Sequence, residues 1–202
     1  MRRFLASAAL ATLLFTLPYA SHPAFAQVTG IPNFHQVNER IFRGGQPDER
    51  GWPELARLGV RTVIDLRRPG EHSTSAESIA VAAVGMRYVN VPMDGFATPT
   101  AEQLVIPLTL LDDDEPVFVH CKLGCDRTGT VIAAYRISRQ GWENQRALAE
   151  AREKGLHWWE NGMRRFIAGY RPAPVPDAVP ASTPLADRPV SAPNSVRSGL
   201  PR

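Results

Sequence analysis

The chain contains very little cysteine, and the cysteines it has lie close together. Its 202 residues include two, Cys121 and Cys125, four positions apart. A domain that relies on disulfide bonds for stability links distant segments of its chain, which this pair does not do. The composition therefore excludes a disulfide framework and leaves both cysteines without a structural role.

Lysine is equally scarce, since Lys122 and Lys154 are the only two and arginine supplies almost all of the positive charge. The basic residues form no cluster of the kind that binds nucleic acid. Without the two arginines of the leader segment described next, the formal net charge falls from +3 to +1. We therefore expect no nucleic-acid partner.

The chain also lacks an apolar run long enough to cross a bilayer, because its longest run covers residues 4–17 and a span needs about 20. Two arginines precede this run, and Ala24 and Ala26 are small residues where a signal peptidase requires them. The segment 1–26 is thus predicted to be a cleavable signal peptide, cut after Ala26. It predicts a periplasmic or secreted protein with no stable membrane span.

Residues 172–202 differ in composition from the rest of the chain. They contain eight prolines among small residues and show no helical or strand period, which predicts a disordered or polyproline-like tail. Residues 27–171 remain, enough for a single domain. They contain no internal repeat, and nothing in them indicates an oligomeric state.

Strand-like and helix-like segments alternate along this domain. The predicted strands lie at residues 40–42, 61–66, 86–92 and 117–119. The predicted helices lie at residues 52–58, 74–84, from 100 onward with a kink at Pro107, and at 128–139, 143–154 and 160–170. Capping-box spacing occurs at Thr74 with Glu77 and at Thr100 with Gln103. The alternation predicts an α/β single domain with a central, mostly parallel sheet of four to five strands, flanked by helices on both faces.

Polar, glycine-containing segments follow three of these strands, at residues 67–71, 94–98 and 121–127. In an open parallel sheet, ligands bind beyond the carboxyl ends of the strands. We therefore expect the three segments to converge on one edge of the sheet and to form the functional site there.

The segment 121–127, called the cradle loop below, leads directly into a predicted helix. Gly124 allows it to curl so that several backbone N–H groups point inward at the helix N-terminus, an arrangement that binds phosphate. The same field stabilises a thiolate at Cys121. The fork of Arg127 can hold two phosphate oxygens, and Thr128 can place its hydroxyl near the sulfur. The candidate phosphate-binding residues are Lys122, Leu123, Gly124, Cys125, Asp126 and Arg127.

The pattern His-Cys-x5-Arg-Thr/Ser-Gly, at residues 120–129, resembles the signature of the cysteine-dependent protein tyrosine phosphatase superfamily. Residues 42–47 and 62–67 are similar to small bacterial dual-specificity-type members, and the resemblance covers residues 41–170. It implies a dual-specificity phosphatase-like fold and a phosphoric monoester hydrolase. It also implies a two-step reaction in which Cys121 forms a phosphocysteine that water then hydrolyses, without a metal or another cofactor.

The implied reaction needs a carboxyl group as general acid and base, and three positions compete for the role. Asp94 lies on the expected edge, 27 residues before Cys121, which is about the distance found in the family. Asp126, inside the cradle loop, is better suited to orienting that loop through hydrogen bonds, although it stays an alternative. Residues 112–114 precede the last strand and are expected at its far end, where they cap a helix or a turn.

Two neighbours of the nucleophile have a functional and a structural interpretation. His120 forms a tempting pair with Cys121, but its side chain points to the opposite face of the strand, which favours a buried hydrogen-bonding role. Cys125 could form an inactivating disulfide with Cys121. Side chains of a loop with inward amides point outward, so a packed small residue is the favoured interpretation.

Other charged and aromatic residues near the site are less specific. Lys122 and Arg67 either add positive charge around the phosphate or are ordinary surface charges, and Arg67 has Glu71 as a potential partner. Trp158 and Trp159 are expected to be one packed and one exposed.

The sequence supports several functions in a definite order. The first is hydrolysis of phosphotyrosine, with phosphoserine and phosphothreonine as further substrates, in proteins. The second is hydrolysis of lipid or small-molecule phosphates of phosphoinositide-like or phosphatidylglycerophosphate-like type, since an exported enzyme meets little protein phosphorylation. A sulfur-transfer or thiol-redox domain is less favoured because Cys-x3-Cys is not the redox spacing. A non-catalytic phosphate-binding module is disfavoured by the intact Cys121 and Arg127.

Overall fold

The computed structural model describes residues 28–172. The predicted signal peptide, residues 1–26, and all but the first residue of the predicted tail lie outside the described residues. Among the helices of this part of the chain, none combines the length and apolar character that crossing a bilayer requires.

Five strands form one sheet in the order β1-β2-β5-β3-β4. They are β1 (His35–Gln36), β2 (Ile41–Gly44), β3 (Thr62–Asp65), β4 (Arg87–Asn90) and β5 (Val117–His120). All neighbouring pairs are parallel except β1 with β2, which is antiparallel. The predicted mostly parallel sheet is confirmed. The sequence did not indicate β1, because two half-buried residues are too few to show a strand period.

Six helices accompany these strands. They are α1 (Gly51–Arg57), α2 (Thr74–Ala83), α3 (Ala101–Leu111), α4 (Asp126–Gln140), α5 (Asn144–Glu153) and α6 (Asn161–Gly169). Helix α4 begins at Asp126, two residues earlier than predicted, so the last residues of the cradle loop are its first helical turn. Helix α3 continues through Pro107 to Leu111.

One of the two predicted capping boxes is confirmed and the other is wrong. Thr100 and Gln103 bond reciprocally at the start of α3. At the start of α2 the cap is Ser73, whose hydroxyl accepts from the backbone N–H of Ala76. Glu77 is buried and bonds to residues of the sheet instead of closing a box with Thr74.

Side chains of β5 alternate between the two faces of the sheet and define two core layers. Val119 and Cys121 belong to a cluster with residues of α3 and α4. Phe118 belongs to a second cluster with residues of α1 and α2. Helices α5 and α6 pack on the outer side of α4. Helices therefore cover both faces, and the nucleophile candidate lies on the α4 side.

The position of β5 is what places the site. This strand lies between β2 and β3 and delivers the cradle loop to the carboxyl edge of the sheet. The segments that follow β3 and β4 end at the same edge, because these strands are parallel to β5. This is the convergence that the sequence predicts.

Candidate active site

The cradle loop curls tightly against the end of β2. Gly124 has a φ of +73°, and a Cβ there would lie 2.3 Å from the carbonyl carbon of Gly44. Both the backbone conformation and this close approach exclude a larger residue.

The carbonyl groups of the loop point outward, into the surrounding protein. The Gly124 oxygen accepts from Arg43 Nη2 at 2.6 Å and from Asn33 Nδ2 at 3.0 Å, and the Lys122 oxygen accepts from the Gln46 backbone N–H at 3.1 Å. In a planar trans peptide the N–H lies opposite its carbonyl, so the matching N–H groups point into the loop. With the first turn of α4 they form a concave donor surface that is suited to an anion.

Cys121 lies at the base of this surface, and its residue is 2% exposed. Behind it, the hydroxyl of Thr128 is buried and has no hydrogen-bond partner among residues 28–172. The site therefore presents a sulfur atom to the bound anion and keeps a spare hydroxyl on the first turn of α4.

Arg127 is fixed at the mouth of the cradle by a carboxylate that the sequence did not assign to it. Its Nη1 lies 2.8 Å from Glu71 Oε1 and its Nη2 lies 3.0 Å from Glu71 Oε2, a two-pronged ion pair. Burial alone would lower the pKa of Arg127, but the bond from Glu71 and the adjacent Cys121 raise it above its ordinary value. The guanidinium is therefore held charged and oriented.

Arg67 does not contribute to the cradle, and its predicted pairing with Glu71 is wrong. It is 5% exposed, its Nε and Nη2 donate to Asp65 at 2.9 and 3.0 Å, and Nη2 also donates to Glu77. The neighbouring Arg68 reaches the site instead, because successive side chains at a strand end point to opposite sides.

The carboxylates bound by Arg67 belong to a sealed cluster on the opposite side of the sheet from Cys121. His120 is fully buried there, with Nε2 2.9 Å from Glu77 Oε1, as predicted for a structural residue. Ligand atoms of Asp65, His72 and Glu77 lie within 4.8 Å of one another, a spacing that could hold a metal ion. Arg67 already supplies a positive charge to both carboxylates, so the residues do not require one.

A pocket of about 380 Å³ opens above the cradle. Of the predicted site residues, its wall contains Cys121, Lys122, Leu123, Asp126 and Arg127. The wall residues that the sequence did not single out include Glu71, Phe96, His157 and Glu160.

Asp94 follows β4 on the loop that borders this pocket through Gly95 and Phe96. Its Oδ1 accepts from the backbone N–H groups of Phe96 and Ala97 at 2.9 and 3.2 Å, and Arg68 donates to its Oδ2 at 2.8 Å. The two backbone bonds and then Arg68 hold the pKa of Asp94 below its usual range. In this arrangement Asp94 is ionised and faces Arg68.

Asp126 ties the cradle to the segment after α5. Its Oδ1 accepts from both the backbone N–H and the ring Nδ1 of His157, each at 2.9 Å, and the His157 ring stacks on Trp159 at 4.3 Å. These contacts match the loop-orienting role predicted for Asp126. Trp158 and Trp159 are 75% and 51% exposed, so the expectation that one is packed is wrong.

Cys125 points away from the pocket. Its Sγ lies 3.5 Å from Asn33 Nδ2, and a Cβ on Gly155 would come within 2.8 Å of it. Burial and the charge of Asp126 raise the pKa of this thiol. Both cysteines are free, and the contacts of Cys125 are those of a packed small residue.

The acidic residues before β5 lie away from the site, as predicted. Asp112 pairs with Arg139 at 2.8 Å and Asp114 pairs with Arg40 at 3.2 Å, both at the amino end of the strand. Neither residue borders the pocket.

Glu160 is the pocket residue that the sequence gave least reason to expect. It is 4% exposed, and burial and the charge of Asp126 raise the pKa of its carboxyl, against smaller opposing effects of His157 and Arg127. Its only signal in the sequence is its place directly before a predicted helix.

Comparisons with known proteins agree with this geometry. A family model described as "DSP-PTPase phosphatase fused to NAD+ Kinase" matches residues 23–161. The dual specificity protein phosphatase TpbA of Pseudomonas aeruginosa (strain UCBPP-PA14) is 31% identical over 156 residues, 76% of this chain and 68% of TpbA. The putative tyrosine-protein phosphatase OCA1 of Mycosarcoma maydis is 33% identical over 148 residues, 69% of this chain and 83% of OCA1.

Solved structures give the same result. The crystal structure of P. aeruginosa TpbA has a TM-score of 0.60 at 25% identity and covers 69% of this chain and 86% of its own. The catalytic core of the PP-IP phosphatase SIW14 from S. cerevisiae has a TM-score of 0.63 at 23% identity, covers 72% of this chain and 89% of its own, and shares the fold.

Proposed function

The chain belongs to the DSP-PTPase family of cysteine-dependent phosphatases and is a phosphoric monoester hydrolase, and from this premise we propose that it dephosphorylates proteins outside the cytoplasm. Its main proposed substrate is phosphotyrosine, with phosphoserine and phosphothreonine as further substrates. The observation that carries the proposal is the cradle itself: Cys121 at the base of inward N–H groups, with Arg127 fixed over it by Glu71.

In the first step, the phosphate dianion occupies the cradle and the guanidinium of Arg127 holds two of its oxygens. The thiolate of Cys121 attacks phosphorus from the side opposite the ester oxygen, and the P–O bond breaks as the P–S bond forms. Asp94 gives its proton to the departing oxygen. Nearby negative charge raises the proton affinity of a carboxylate, so the bound dianion opposes the donors that keep Asp94 ionised in the free enzyme.

In the second step, Asp94 takes a proton from a water molecule whose oxygen attacks phosphorus. The P–S bond breaks, its electron pair returns to the sulfur, and inorganic phosphate leaves. The unpartnered hydroxyl of Thr128 donates to the sulfur and stabilises it as leaving group. The backbone of residues 122–126 binds the phosphate throughout, with Asp126 holding the loop in shape through His157.

The surroundings of the cradle favour an aryl ester. Phe96, Leu123 and Trp159 border the pocket and are 81%, 52% and 51% exposed. Exposed apolar side chains grouped around a recessed nucleophile suit a phosphate carried on a long, flat ring, and they also suit contact with a protein surface. Phosphotyrosine in a protein satisfies both conditions.

A lipid or small-molecule phosphate is the second candidate, handled by the same chemistry. Lys122 and Arg68 border the pocket and supply positive charge for a phosphoinositide-like or phosphatidylglycerophosphate-like head group. A sulfur-transfer or thiol-redox role is the weakest candidate, since it uses neither the fixed Arg127 nor Asp94.

The substrate proposal is tested with the purified protein on p-nitrophenyl phosphate, on phosphotyrosine and phosphoserine peptides, and on phosphoinositide vesicles. We expect the highest kcat/KM on the phosphotyrosine peptide and no turnover by Cys121→Ser. Acid quenching during turnover is expected to trap a phosphocysteine. A Cys121→Ser protein that keeps turnover would overturn the mechanism, and a higher kcat/KM on the vesicles would replace the protein substrate with the lipid one.

The location is tested separately, by fractionating cells that produce the full chain. The predicted signal peptide leads us to expect a product that begins at Gln27 outside the cytoplasm. An unprocessed protein in the cytoplasmic fraction would contradict this proposal without affecting the chemistry.

A further inference from the structure

Three carboxylates border the pocket, and they differ in what neutralises them. Glu71 is bound by both Nη atoms of Arg127, and Asp126 is bound by His157. The carboxylate of Glu160 has no hydrogen-bond partner among residues 28–172. It is therefore the pocket carboxylate whose charge the described residues leave uncompensated.

The positive charges of the pocket are largely engaged as well. Arg127 is paired with Glu71, and Arg68 is paired with Asp94 at 2.8 Å. Lys122 has no ion pair within residues 28–172 and is exposed at the rim. Beyond the grip of Arg127 and the cradle amides, the pocket thus offers one unpaired cation against one unpaired anion.

We propose that Glu160 makes this pocket select substrates with a single phosphate group over those in which a second phosphate is joined to the first. This inference rests on the proposed function, because it concerns the substrates of the same site. A group attached to the scissile phosphate has to pass through the pocket that Glu160 borders. If that group is another phosphate, its charges meet the Glu160 carboxylate where little water is present to screen them. A tyrosine ring carries no charge and is not opposed.

The burial of Glu160 gives this selection a dependence on pH. The groups that face its carboxyl are Asp126, His157 and Arg127, and together with burial they leave its pKa raised. Selection therefore weakens as the pH falls and Glu160 takes up a proton. The other ionisable groups of the pocket, Glu71 and Arg68, are already paired with opposite charges and do not follow this titration.

The test compares the wild-type protein with Glu160→Gln, which keeps the shape of the side chain and removes its charge. The probes are inorganic phosphate and inorganic pyrophosphate, each measured as a competitive inhibitor of p-nitrophenyl phosphate turnover from pH 5 to 8. We expect Glu160→Gln to bind pyrophosphate relative to phosphate at least about tenfold better at neutral pH. The two proteins should converge as the pH falls. Ionisation of the probes cancels, because both proteins are measured at the same pH values.

Two further variants separate charge from structure. Glu160→Asp keeps the charge and should keep the wild-type preference, as well as its change with pH. Glu115→Gln makes the same charge change at the exposed amino end of β5, away from the pocket, and should alter neither inhibition constant. If Glu160→Gln does not fold, the comparison of Glu160→Asp with the wild-type pH profile still decides the matter.

An unchanged pyrophosphate-to-phosphate ratio in Glu160→Gln would overturn the inference, and so would an equal change in Glu115→Gln. The proposed function fails by a different result, namely a wild-type protein that does not hydrolyse aryl phosphates. In that event the two probes are measured by calorimetry on the same variants, and the selection by Glu160 is still tested as a binding preference.

Discussion

Two groups of arginine and carboxylate side chains lie close together at the carboxyl edge of the sheet, and they differ in their access to water. The sealed cluster, built around Arg67 and Asp65, has side chains that are 6% and 0% exposed. The pocket pairs, built around Arg127 and Glu71, include a carboxylate that is 26% exposed. The chemical groups are the same, and the solvent around them differs.

The difference determines what each group can do. In the sealed cluster no water or ligand can replace a lost partner, so each charge depends on the others and the cluster acts as part of the core. In the pocket, Glu71 occupies one edge of the Arg127 guanidinium and leaves the remainder to a ligand. Burial thus fixes one set of ion pairs for stability, and exposure leaves the other available for binding.

The largest expected effect comes from changing the arginine of the pocket. Arg127→Lys keeps the charge but loses the planar fork, so we expect kcat/KM on an aryl phosphate to fall about 10³-fold. The melting temperature should change little, because Glu71 remains partly solvated. Arg139→Lys, in an exposed pair with Asp112, is the matched control and should retain full activity. A loss of less than tenfold in Arg127→Lys would show that the fork does not bind the transition state.

The second effect is the converse change in the sealed cluster. Arg67→Met leaves Asp65 and Glu77 buried without their cation, which should lower the free energy of unfolding by roughly 3 kcal/mol. Urea denaturation measures this loss. The kcat/KM of the folded fraction should stay within about threefold of wild type, and a larger loss would mean that the two clusters are not separate.

The acid limb of stability sharpens the same contrast. Burial opposes ionisation of Asp65, but the bond from Arg67 and the charge of His120 outweigh it and leave its pKa lowered. The stabilisation from Asp65 is therefore present above the ordinary carboxyl pKa and is lost as the pH falls through the lowered folded value. In Arg67→Met the pKa of Asp65 rises, so the loss begins at higher pH. Identical acid limbs in the two proteins would contradict this reasoning.

The third effect concerns the anchor of the pocket arginine. Glu71→Gln removes the charge that fixes both Nη atoms of Arg127, and we expect kcat/KM to fall about tenfold through loss of orientation. Steady-state kinetics on a phosphotyrosine peptide measure this fall, and thermal melting should show almost no change. An activity that rises would instead mean that Glu71 competes with the phosphate for Arg127.

The smallest effect concerns Asp94. Arg68→Met removes a minor cause of its lowered pKa, and the bonds from the Phe96 and Ala97 amides remain the main cause. A raised pKa increases the protonated fraction at neutral pH, so turnover of esters with poor leaving groups should improve slightly. The pH profile for an alkyl phosphate should shift to higher pH by less than loss of the amide bonds would cause. Turnover of p-nitrophenyl phosphate, whose leaving group needs little protonation, is the control.

The sequence predicted the parts of the site that are contiguous in the chain. The cradle loop could be read directly, because residues 120–129 fix its curl and its helix entry through local geometry. The apolar segments around Val63 and Phe118 likewise predicted parallel strands. The pairing of Glu71 with Arg127 could not be predicted, since it joins two loops that meet only after the sheet has formed.

Two errors have the same physical origin. The sequence offered Arg67 to the site, but one step along an extended backbone turns a side chain to the other side, and Arg68 is the residue that borders the pocket. The spacing of Thr74 and Glu77 matched a capping box, but tertiary contacts with Arg67 outweighed the local bond and Ser73 became the cap. Glu160 lacks any local pattern, and its burial depends on how α6 packs.

The central position of β5 also has a consequence for how the protein folds. Its pairing joins Ile41 to Val117 and Thr62 to Val117, contacts that are distant in sequence and slow to form. Until β5 inserts between its two neighbours, the inward amides are not assembled and Cys121 is an ordinary accessible thiol. Recovery of activity after denaturation should therefore coincide with hydrogen-exchange protection of β5, and no partly folded form should hydrolyse a phosphate ester.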